Sequence, residues 1–220
     1  MRRYIVIEGL IGVGKSSLAR LLAAEWGARL VMEPAATNPF LEPFYQDPQR
    51  YAFPVQMFYL MTRWRQQQAI RQEDLFQSLL VSDYLFDKDR LFAEKTLHGQ
   101  ELELYDEFAE ALGHAVPAPD LVVHLTAPTP VLMKRIARRR APGEELIAQE
   151  YLVDLAERYD RLFRGWDRCP VLRLDNRDMN YVDDVADKVA VLDLIRSALE
   201  HPENIAPGSD PDREAQPTLF

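Results

Sequence analysis

Five short apolar segments recur along the chain, and longer stretches with helical spacing separate them. The segments are YIVIEG, ARLVMEP, SLLVSDY, DLVVHLTA and VLRLD. Each is apolar almost throughout rather than alternating, which is typical of strands that are covered on both faces. The alternation of such strands with helices predicts an α/β fold, in which a five-stranded parallel sheet is flanked by helices.

The helical pattern over residues 53–64 has clear start signals. Asp47 and Pro48 precede it and form a favourable pair of N-cap and first-turn residues. Pro54 lies just inside the pattern and predicts a kink, because proline lacks an N–H and crowds the preceding turn.

Length, charge and cysteine content restrict the class of protein. The 220 residues suffice for one well-buried domain, which we place at residues 1–200, and residues 201–220, rich in proline and charge, predict a flexible C-terminal tail. The net charge of −9 argues against a nucleic-acid partner. The single Cys169 favours a cytoplasmic protein, and no apolar stretch is long enough for a membrane partner.

The stretch GLIGVGKS, residues 9–16, fits the phosphate-binding pattern G-x-x-x-x-G-K-[ST] and lies between a predicted strand and a predicted helix. Backbone N–H groups and the helix N-terminus can surround phosphate oxygens, while Lys15 reaches the outer phosphates. The Ser16 hydroxyl is a ligand for Mg²⁺. The sequence therefore predicts binding of ATP or GTP with magnesium. The predicted nucleotide-binding residues are Gly9, Gly12, Gly14, Lys15, Ser16 and Ser17.

Two carboxylates follow predicted strands, Glu33 in VMEP and Asp83 in VSD. Ligands of open α/β sheets gather beyond the carboxyl ends of the strands. Phosphoryl transfer to a hydroxyl needs one acidic group near the metal and another near the attacking oxygen. Both residues are therefore candidates for these two positions.

Three motifs together resemble the deoxynucleoside kinase family. They are IEGLIGVGKSS, VMEP followed by NPFLEPFYQDPQRYAFPVQMFYLMTR, and the arginine-rich stretch before EYL. The resemblance extends over residues 1–195 and implies a P-loop kinase fold with an arginine-rich lid. It also implies transfer of the γ-phosphoryl group of ATP to the 5′-hydroxyl of a deoxyribonucleoside, usually by a homodimer.

The resemblance assigns roles to five residues of the acceptor site. Glu33 matches the general base, and Tyr45 and Glu144 fall where the family holds the sugar 3′-hydroxyl. Gln56 matches a glutamine that binds the base edge, and Arg63 an arginine that completes base recognition. Gln56 and Arg63 are seven residues apart, which puts them on one helix face about 10 Å apart along the axis.

The lid is predicted at residues 134–140, after the fourth strand. Its arginines can fold over a triphosphate and stabilise the charge on the γ-oxygens, as Lys15 does from the other side. Arg135 and Arg139 align best with the lid arginines of the family. The stretch LDNRDMNY, after the fifth strand, falls where the family contacts the adenine of ATP.

The segment VSDYLFDKDR combines agreement with the family and a departure from it. By resemblance, Asp83 lies near Mg²⁺, and Asp89 binds the nucleobase with Arg63. Such a carboxylate implies a base with an exocyclic amino group, as in deoxyadenosine, deoxyguanosine or deoxycytidine. The family commonly has an arginine after the acidic residue, but this chain has Tyr84, which cannot replace it. Either Lys88 or a lid arginine supplies that charge, or the acceptor is held in a different way.

Two other functions share part of this pattern. A nucleoside monophosphate kinase of the thymidylate kinase type has the same loop and a similar lid. A P-loop switch or regulatory ATPase has the loop alone, without an acceptor site. A switch has no need of acceptor-site residues such as Glu33, Tyr45 and Gln56.

Overall fold

The structure is a computed structural model, and it describes residues 3–33, 38–72, 78–113, 116–141 and 144–205. Within these ranges, five strands form one sheet in the order β2-β3-β1-β4-β5. The strands are β1 (Arg3–Gly9), β2 (Arg29–Val31), β3 (Leu79–Ser82), β4 (Leu121–Thr126) and β5 (Val171–Asp175). All four pairings are parallel, which confirms the predicted sheet.

The central position of β1 determines which loops meet at the edge of the sheet. Its neighbours are β3 on one side, with Val6 opposite Ser82, and β4 on the other, with Gly9 opposite Leu125. Because parallel strands all end at the same edge, the loop after Gly9 lies beside Asp83, the residue that follows β3. The sheet thus brings the phosphate loop and the predicted metal ligand together.

Helices cover the sheet and extend beyond it on one side. They are α1 (Lys15–Trp26), α2 (Leu41–Gln46), α3 (Pro48–Gln72), α4 (Lys88–Thr96), α5 (Gln100–Gly113), α6 (Thr129–Arg139), α7 (Gln149–Arg164) and α8 (Val185–Glu200). The Asp47 carboxylate accepts a hydrogen bond of 3.3 Å from the backbone N–H of Arg50, as expected of an N-cap. Helix α3 extends over 25 residues with Pro54 inside it, so the proline does not end the helix.

Two hydrophobic clusters support these elements. The larger surrounds the sheet and includes the fully buried Ile5, Leu22 and Val123. The smaller lies among α2, α3, α4 and α5 and includes Phe44 and Leu60. The candidate acceptor site lies between the two, so its walls are built on packed helices rather than on free loops.

The segment that was predicted as a tail begins with ordered structure. Pro202–Asn204 form a 3₁₀ turn after α8, and Ile205 packs against the larger cluster. The rest of that segment, residues 206–220, lies outside the described residues. Among the helices that are described, none is long and apolar enough to cross a membrane.

His124 is a buried residue of β4, as its apolar surroundings predict. Its ring lies 4.4 Å from the ring centroid of Phe163 and stacks on Tyr159. Burial, with the nearby positive charges of Arg173 and Lys15, lowers the pKa of His124 to about 3. The imidazole is therefore neutral in the folded protein and serves as a packing residue.

This burial predicts a loss of stability in mild acid. Below pH 6.5 the unfolded chain binds a proton at His124 that the folded chain does not, so the free energy of unfolding falls as pH falls towards 3. At pH 4.5 the loss from this residue amounts to roughly 3 kcal/mol. Urea unfolding of His124→Phe should show a weaker pH dependence over this window, whereas His98→Gln, at an exposed position, should match the wild type. An unchanged slope in His124→Phe would contradict the assignment.

Candidate active site

The loop between β1 and α1 is held in shape by its own lysine. Lys15 Nζ donates hydrogen bonds to the carbonyl oxygens of Gly9 at 2.7 Å and Leu10 at 3.1 Å. Gly14 has a φ of 108°, and a Cβ there would lie 2.7 Å from the hydroxyl of Tyr181, so a larger residue does not fit. Burial, followed by repulsion from Lys88, lowers the pKa of Lys15 to about 8. An incoming phosphate would favour its charged form.

Residues after β5 complete the loop from the opposite direction. The Asn176 side chain donates to the carbonyl of Val13, and the Tyr181 hydroxyl donates to the carbonyl of Gly14 at 3.2 Å. Arg135 donates in turn to the Asn176 carbonyl at 2.7 Å. The sequence located this segment beside the nucleotide but gave no residue a role. Asn176 and Tyr181 are thus additional members of the site.

A groove of about 620 Å³ runs along this loop. It is lined on one side by Gly12, Gly14, Lys15, Ser16, Ser17 and Arg20, and on the other by Arg135, Arg138, Arg139, Asn176 and Met179–Asp183. Of the predicted nucleotide-binding residues, only Gly9 lies outside the groove, and it lines the adjacent cavity instead. The arginines face a loop of backbone N–H groups, which is an arrangement suited to a triphosphate.

Asp83 connects the phosphate loop to the next strand. Its Oδ2 accepts a hydrogen bond of 2.6 Å from the Ser16 hydroxyl, and its Oδ1 accepts one of 2.7 Å from the backbone N–H of Glu33. The two predicted metal ligands are therefore in direct contact. A hydroxyl and a carboxylate at this position fit Mg²⁺, which takes most of its other ligands from water and phosphate.

The acceptor cavity, of about 220 Å³, lies on the other side of Lys15 and Ser16. Its wall contains five of the six residues that the resemblance assigned to substrate binding, Glu33, Tyr45, Gln56, Arg63 and Glu144, and it lacks Asp89. Apolar and aromatic side chains fill the remaining wall, among them Phe44, Val55, Tyr59, Phe92 and Tyr151. A flat, partly polar ligand such as a nucleoside suits this lining.

Glu33 is held between two buried cations. Its Oε1 contacts Arg63, and its Oε2 accepts a hydrogen bond of 2.9 Å from Lys88. Burial alone would raise the pKa of the Glu33 carboxyl, but the charges of Arg63 and Lys88 outweigh it and hold the pKa well below its ordinary range. The carboxylate is therefore ionised and available as a hydrogen-bond acceptor.

Asp89 pairs with Arg63 but does not line the acceptor cavity. Arg63 bridges the two carboxylates, Glu33 through one nitrogen and Asp89 through another. Asp89 is 3% exposed and lies instead at a separate cavity of about 860 Å³ beside α4, α5 and α7. Arg63 and Asp89 are thus paired, as the resemblance implies, but only Arg63 lines the acceptor cavity.

Gln56 is fixed on α3 by a short chain of hydrogen bonds. Its side-chain amide donates to the Thr96 hydroxyl at 3.0 Å, and that hydroxyl donates to the Phe92 carbonyl at 2.8 Å. Gln56 is 4% exposed, so only a small part of its amide faces the cavity. This anchoring orients the side chain before a ligand arrives.

The lid connects the two cavities. Arg139 ends α6 and donates to Glu144 through its Nε at 3.0 Å, and it lines both the groove and the acceptor cavity. Burial raises the pKa of Tyr45 to about 12, and the adjacent Glu144 carboxylate adds to this, so the phenol stays protonated. Tyr45 and Glu144 can therefore donate to and accept from the same hydroxyl group.

Glu8 supports the site from behind the cavity wall, and the motifs in the sequence assign it no role. It is fully buried at the end of β1. Its carboxylate accepts hydrogen bonds from the backbone N–H groups of Gly9 at 2.8 Å and Leu85 at 2.7 Å, and from the Tyr159 hydroxyl at 3.0 Å. A carboxylate in an otherwise apolar strand directly before the phosphate loop was a signal for it, since unpaired charges are almost never fully buried.

Lys15 and Ser16 line both cavities, and Glu33 lies on the acceptor side of them. A triphosphate in the groove and a hydroxyl in the acceptor cavity would therefore meet across these two residues, which is the arrangement that phosphoryl transfer needs. Fold and site together define a P-loop phosphotransferase.

Comparison with known proteins gives the family. The family model for deoxynucleoside kinases matches residues 5–200, and the chain belongs to this family. It is an ATP-dependent enzyme that transfers a phosphoryl group to a deoxynucleoside. Membership favours this reaction over that of a nucleoside monophosphate kinase and over a nucleotide switch.

Three relatives illustrate the match. The deoxyguanosine kinase of Bacillus subtilis (strain 168) is 33% identical over 158 residues, which are 71% of this chain and 76% of the relative. The deoxyguanosine kinase of Lactobacillus acidophilus is 32% identical over 207 residues, 89% of this chain and 90% of the relative. The structure of deoxyadenosine kinase from M. mycoides with bound dATP has a TM-score of 0.75 at 21% identity and covers 88% of this chain and 100% of that one. This last likeness supports the fold.

Proposed function

We propose that the enzyme phosphorylates the 5′-hydroxyl of deoxynucleosides whose base has an exocyclic amino group, namely deoxyadenosine, deoxyguanosine and deoxycytidine. The observation that carries the proposal is the buried pair of Arg63 and Asp89, whose arginine shares the wall of the acceptor cavity with Gln56. An amino group needs an acceptor such as a carboxylate, and thymine has no such group. Relatives named deoxyguanosine kinase and deoxyadenosine/deoxycytidine kinase agree with this preference.

Base recognition requires a rearrangement of Arg63. Apart from that arginine, the Asp89 carboxylate has no hydrogen-bond partner among the described residues, so it retains acceptor capacity. A base that binds against Gln56 would draw Arg63 away from Glu33, which it contacts here. The Arg63 shift would expose Asp89 to the amino group and would free Glu33 for the sugar. Binding of the base would thereby be coupled to release of the Glu33 carboxylate from Arg63.

The sugar would lie between Tyr45, Glu144 and Glu33. Tyr45 and Glu144 hold the 3′-hydroxyl, and Glu33 accepts the hydrogen bond of the 5′-hydroxyl. In the reaction, the 5′-oxygen forms a bond to the γ-phosphorus while the bond from that phosphorus to the bridging oxygen breaks. The proton passes to Glu33, and ADP leaves with the bridging oxygen.

On the donor side, Lys15, Arg135 and Arg139 stabilise the charge of the triphosphate. Ser16 and Asp83 would hold Mg²⁺, whose charge, when it is bound, neutralises phosphate oxygens. Within the described residues there is no cluster of three or more His, Cys, Asp or Glu side chains that could hold a metal ion. A serine with a single carboxylate is nevertheless a sufficient protein contribution for magnesium with a nucleotide.

The proposal also includes assembly as a homodimer in the cytoplasm. Leu104 and Phe108 lie four residues apart on α5 and are 43% and 44% exposed. Side chains at this spacing share one helix face, and this face is where we propose that a second copy of the chain packs.

The experiment that tests the base preference is a measurement of kcat/KM for the four deoxynucleosides with ATP and magnesium. We expect thymidine to be at least about tenfold worse than the best of the other three, since a buried acceptor left unpaired costs about 1–3 kcal/mol. Deoxynucleoside 5′-monophosphates are included as acceptors and should give no product. Thymidine as the best substrate would overturn the base preference, and phosphorylation of monophosphates would overturn the acceptor.

A further inference from the structure

Tyr84 occupies the position where an arginine was expected, but its side chain is not in the site. It is fully buried, and its hydroxyl accepts a hydrogen bond of 3.3 Å from the side chain of Gln67. The carbonyl of Tyr84 accepts another of 2.6 Å from the Ser82 hydroxyl. Tyr84 is thus a core residue, and neither cavity of the active site has it in its wall.

Lys88, four residues further along at the start of α4, has its charge in the acceptor cavity. The side chain is 4% exposed, and Nζ lies 2.9 Å from Glu33 Oε2 and 3.9 Å from Glu8 Oε2. It lines the cavity together with Lys15 and Ser16, the residues at which the two cavities meet. A buried ammonium at this point faces the region in which phosphate charge would develop.

Glu8 explains how this ammonium is kept in place. Its carboxylate binds the backbone N–H of Leu85, and the Leu85 carbonyl accepts from the backbone N–H of Lys88 at 3.3 Å. The start of α4 is thereby attached to the strand that carries the phosphate loop. An ammonium has three N–H donors, and only the bond to Glu33 is within hydrogen-bond distance in the described contacts. Donor capacity therefore remains for an oxygen of a ligand.

We infer that Lys88 binds the phosphoryl group as it arrives at the 5′-oxygen, and that it replaces in this chain the cation that Tyr84 cannot supply. The inference deepens the proposed function and rests on it. Lys15 contacts the phosphoryl group from the donor side, and Lys88 contacts it from the acceptor side, so the group stays between two cations throughout the transfer. Lys88 should therefore bind the product 5′-monophosphate while contributing little to binding of the nucleoside.

The test compares full-length wild type, Lys88→Met, Lys88→Arg and, as a matched control on the same helix, Arg90→Met, whose guanidinium is exposed. Each is assayed for kcat and KM with the deoxynucleoside that the wild type prefers. Calorimetry then gives the Kd of that deoxynucleoside and of its 5′-monophosphate. Lys88→Met should lose about 10²-fold in kcat, and it should bind the monophosphate at least about tenfold more weakly, with the nucleoside within about threefold. Lys88→Arg should restore monophosphate binding, and Arg90→Met should match the wild type.

The outcomes separate the role of Lys88 from the proposed function. A wild type that phosphorylates no deoxynucleoside would reject the proposed function, while the two Kd values would still test Lys88. An active wild type with kcat of Lys88→Met within about threefold would reject the role of Lys88 alone. Equal weakening of nucleoside and monophosphate binding would also reject it, because that result indicates a structural residue. If Lys88→Met does not fold, Lys88→Arg decides: retained binding of the 5′-monophosphate supports the inference, and lost binding of the 5′-monophosphate overturns it.

Discussion

Glutamine in place of Glu33 is expected to lower kcat by about 10³-fold and to change KM for the deoxynucleoside by less than about threefold. The amide has nearly the same shape but cannot take the proton of the 5′-hydroxyl. The neutral amide also cannot balance the positive charges of Arg63 and Lys88, which both contact the Glu33 carboxylate. Steady-state kinetics with saturating ATP measure both constants.

The matched control is Glu42→Gln, the same substitution at an exposed position of α2. It should leave kcat unchanged. Thermal melts of both variants are needed, because Glu33→Gln leaves two cations with less compensation. A well-folded Glu33→Gln enzyme with wild-type kcat would remove Glu33 as the general base.

Methionine in place of Arg63 is expected to have the largest effect on stability. Removing one partner of a buried ionic pair costs about 3–5 kcal/mol, because the remaining charge stays buried without compensation. Glu33 keeps Lys88 as a partner, whereas Asp89 loses the only one it has among the described residues. Urea unfolding should therefore show a loss in this range, and the melting temperature should fall by roughly 10 °C.

A double variant tests the origin of that loss. Arg63→Met combined with Asp89→Asn removes the uncompensated charge and should recover at least about 1 kcal/mol relative to the sum of the single variants. Arg65→Met, on an exposed position of the same helix, should lie within about 0.5 kcal/mol of the wild type. A cost below about 1 kcal/mol for Arg63→Met would show that Asp89 is compensated in another way.

The sheet and the first residues of the site were predictable because their signals are local. Continuous apolar runs give buried parallel strands, and the ends of those strands bring Glu33 and Asp83 beside the loop at residues 9–16. Helical spacing also puts Gln56 and Arg63 on one face, and both line the acceptor cavity. Periodicity thus determines which residues share a surface.

Depth and long-range polar contacts were not predictable in the same way. Asp89 pairs with Arg63 but does not line the acceptor cavity. This could not be predicted, because helical spacing tells which residues share a face but not how deeply each side chain is buried. Which of Tyr84 and Lys88 reaches the site depends on the path of the loop between β3 and α4. Contacts from Asn176 to a backbone carbonyl follow no sequence period at all.

Two of the hydrogen bonds that Val13 and Gly14 accept from side chains have a consequence for chain synthesis. Their donors, Asn176 and Tyr181, lie 163 and 167 residues further along the chain. A ribosome makes the N-terminus first, at about 5–20 residues per second, so the growing chain carries the complete loop sequence for many seconds without these donors. The nucleotide site is therefore complete only once Tyr181 has been added, and a product that terminates before Asn176 would have the motif without these two donors.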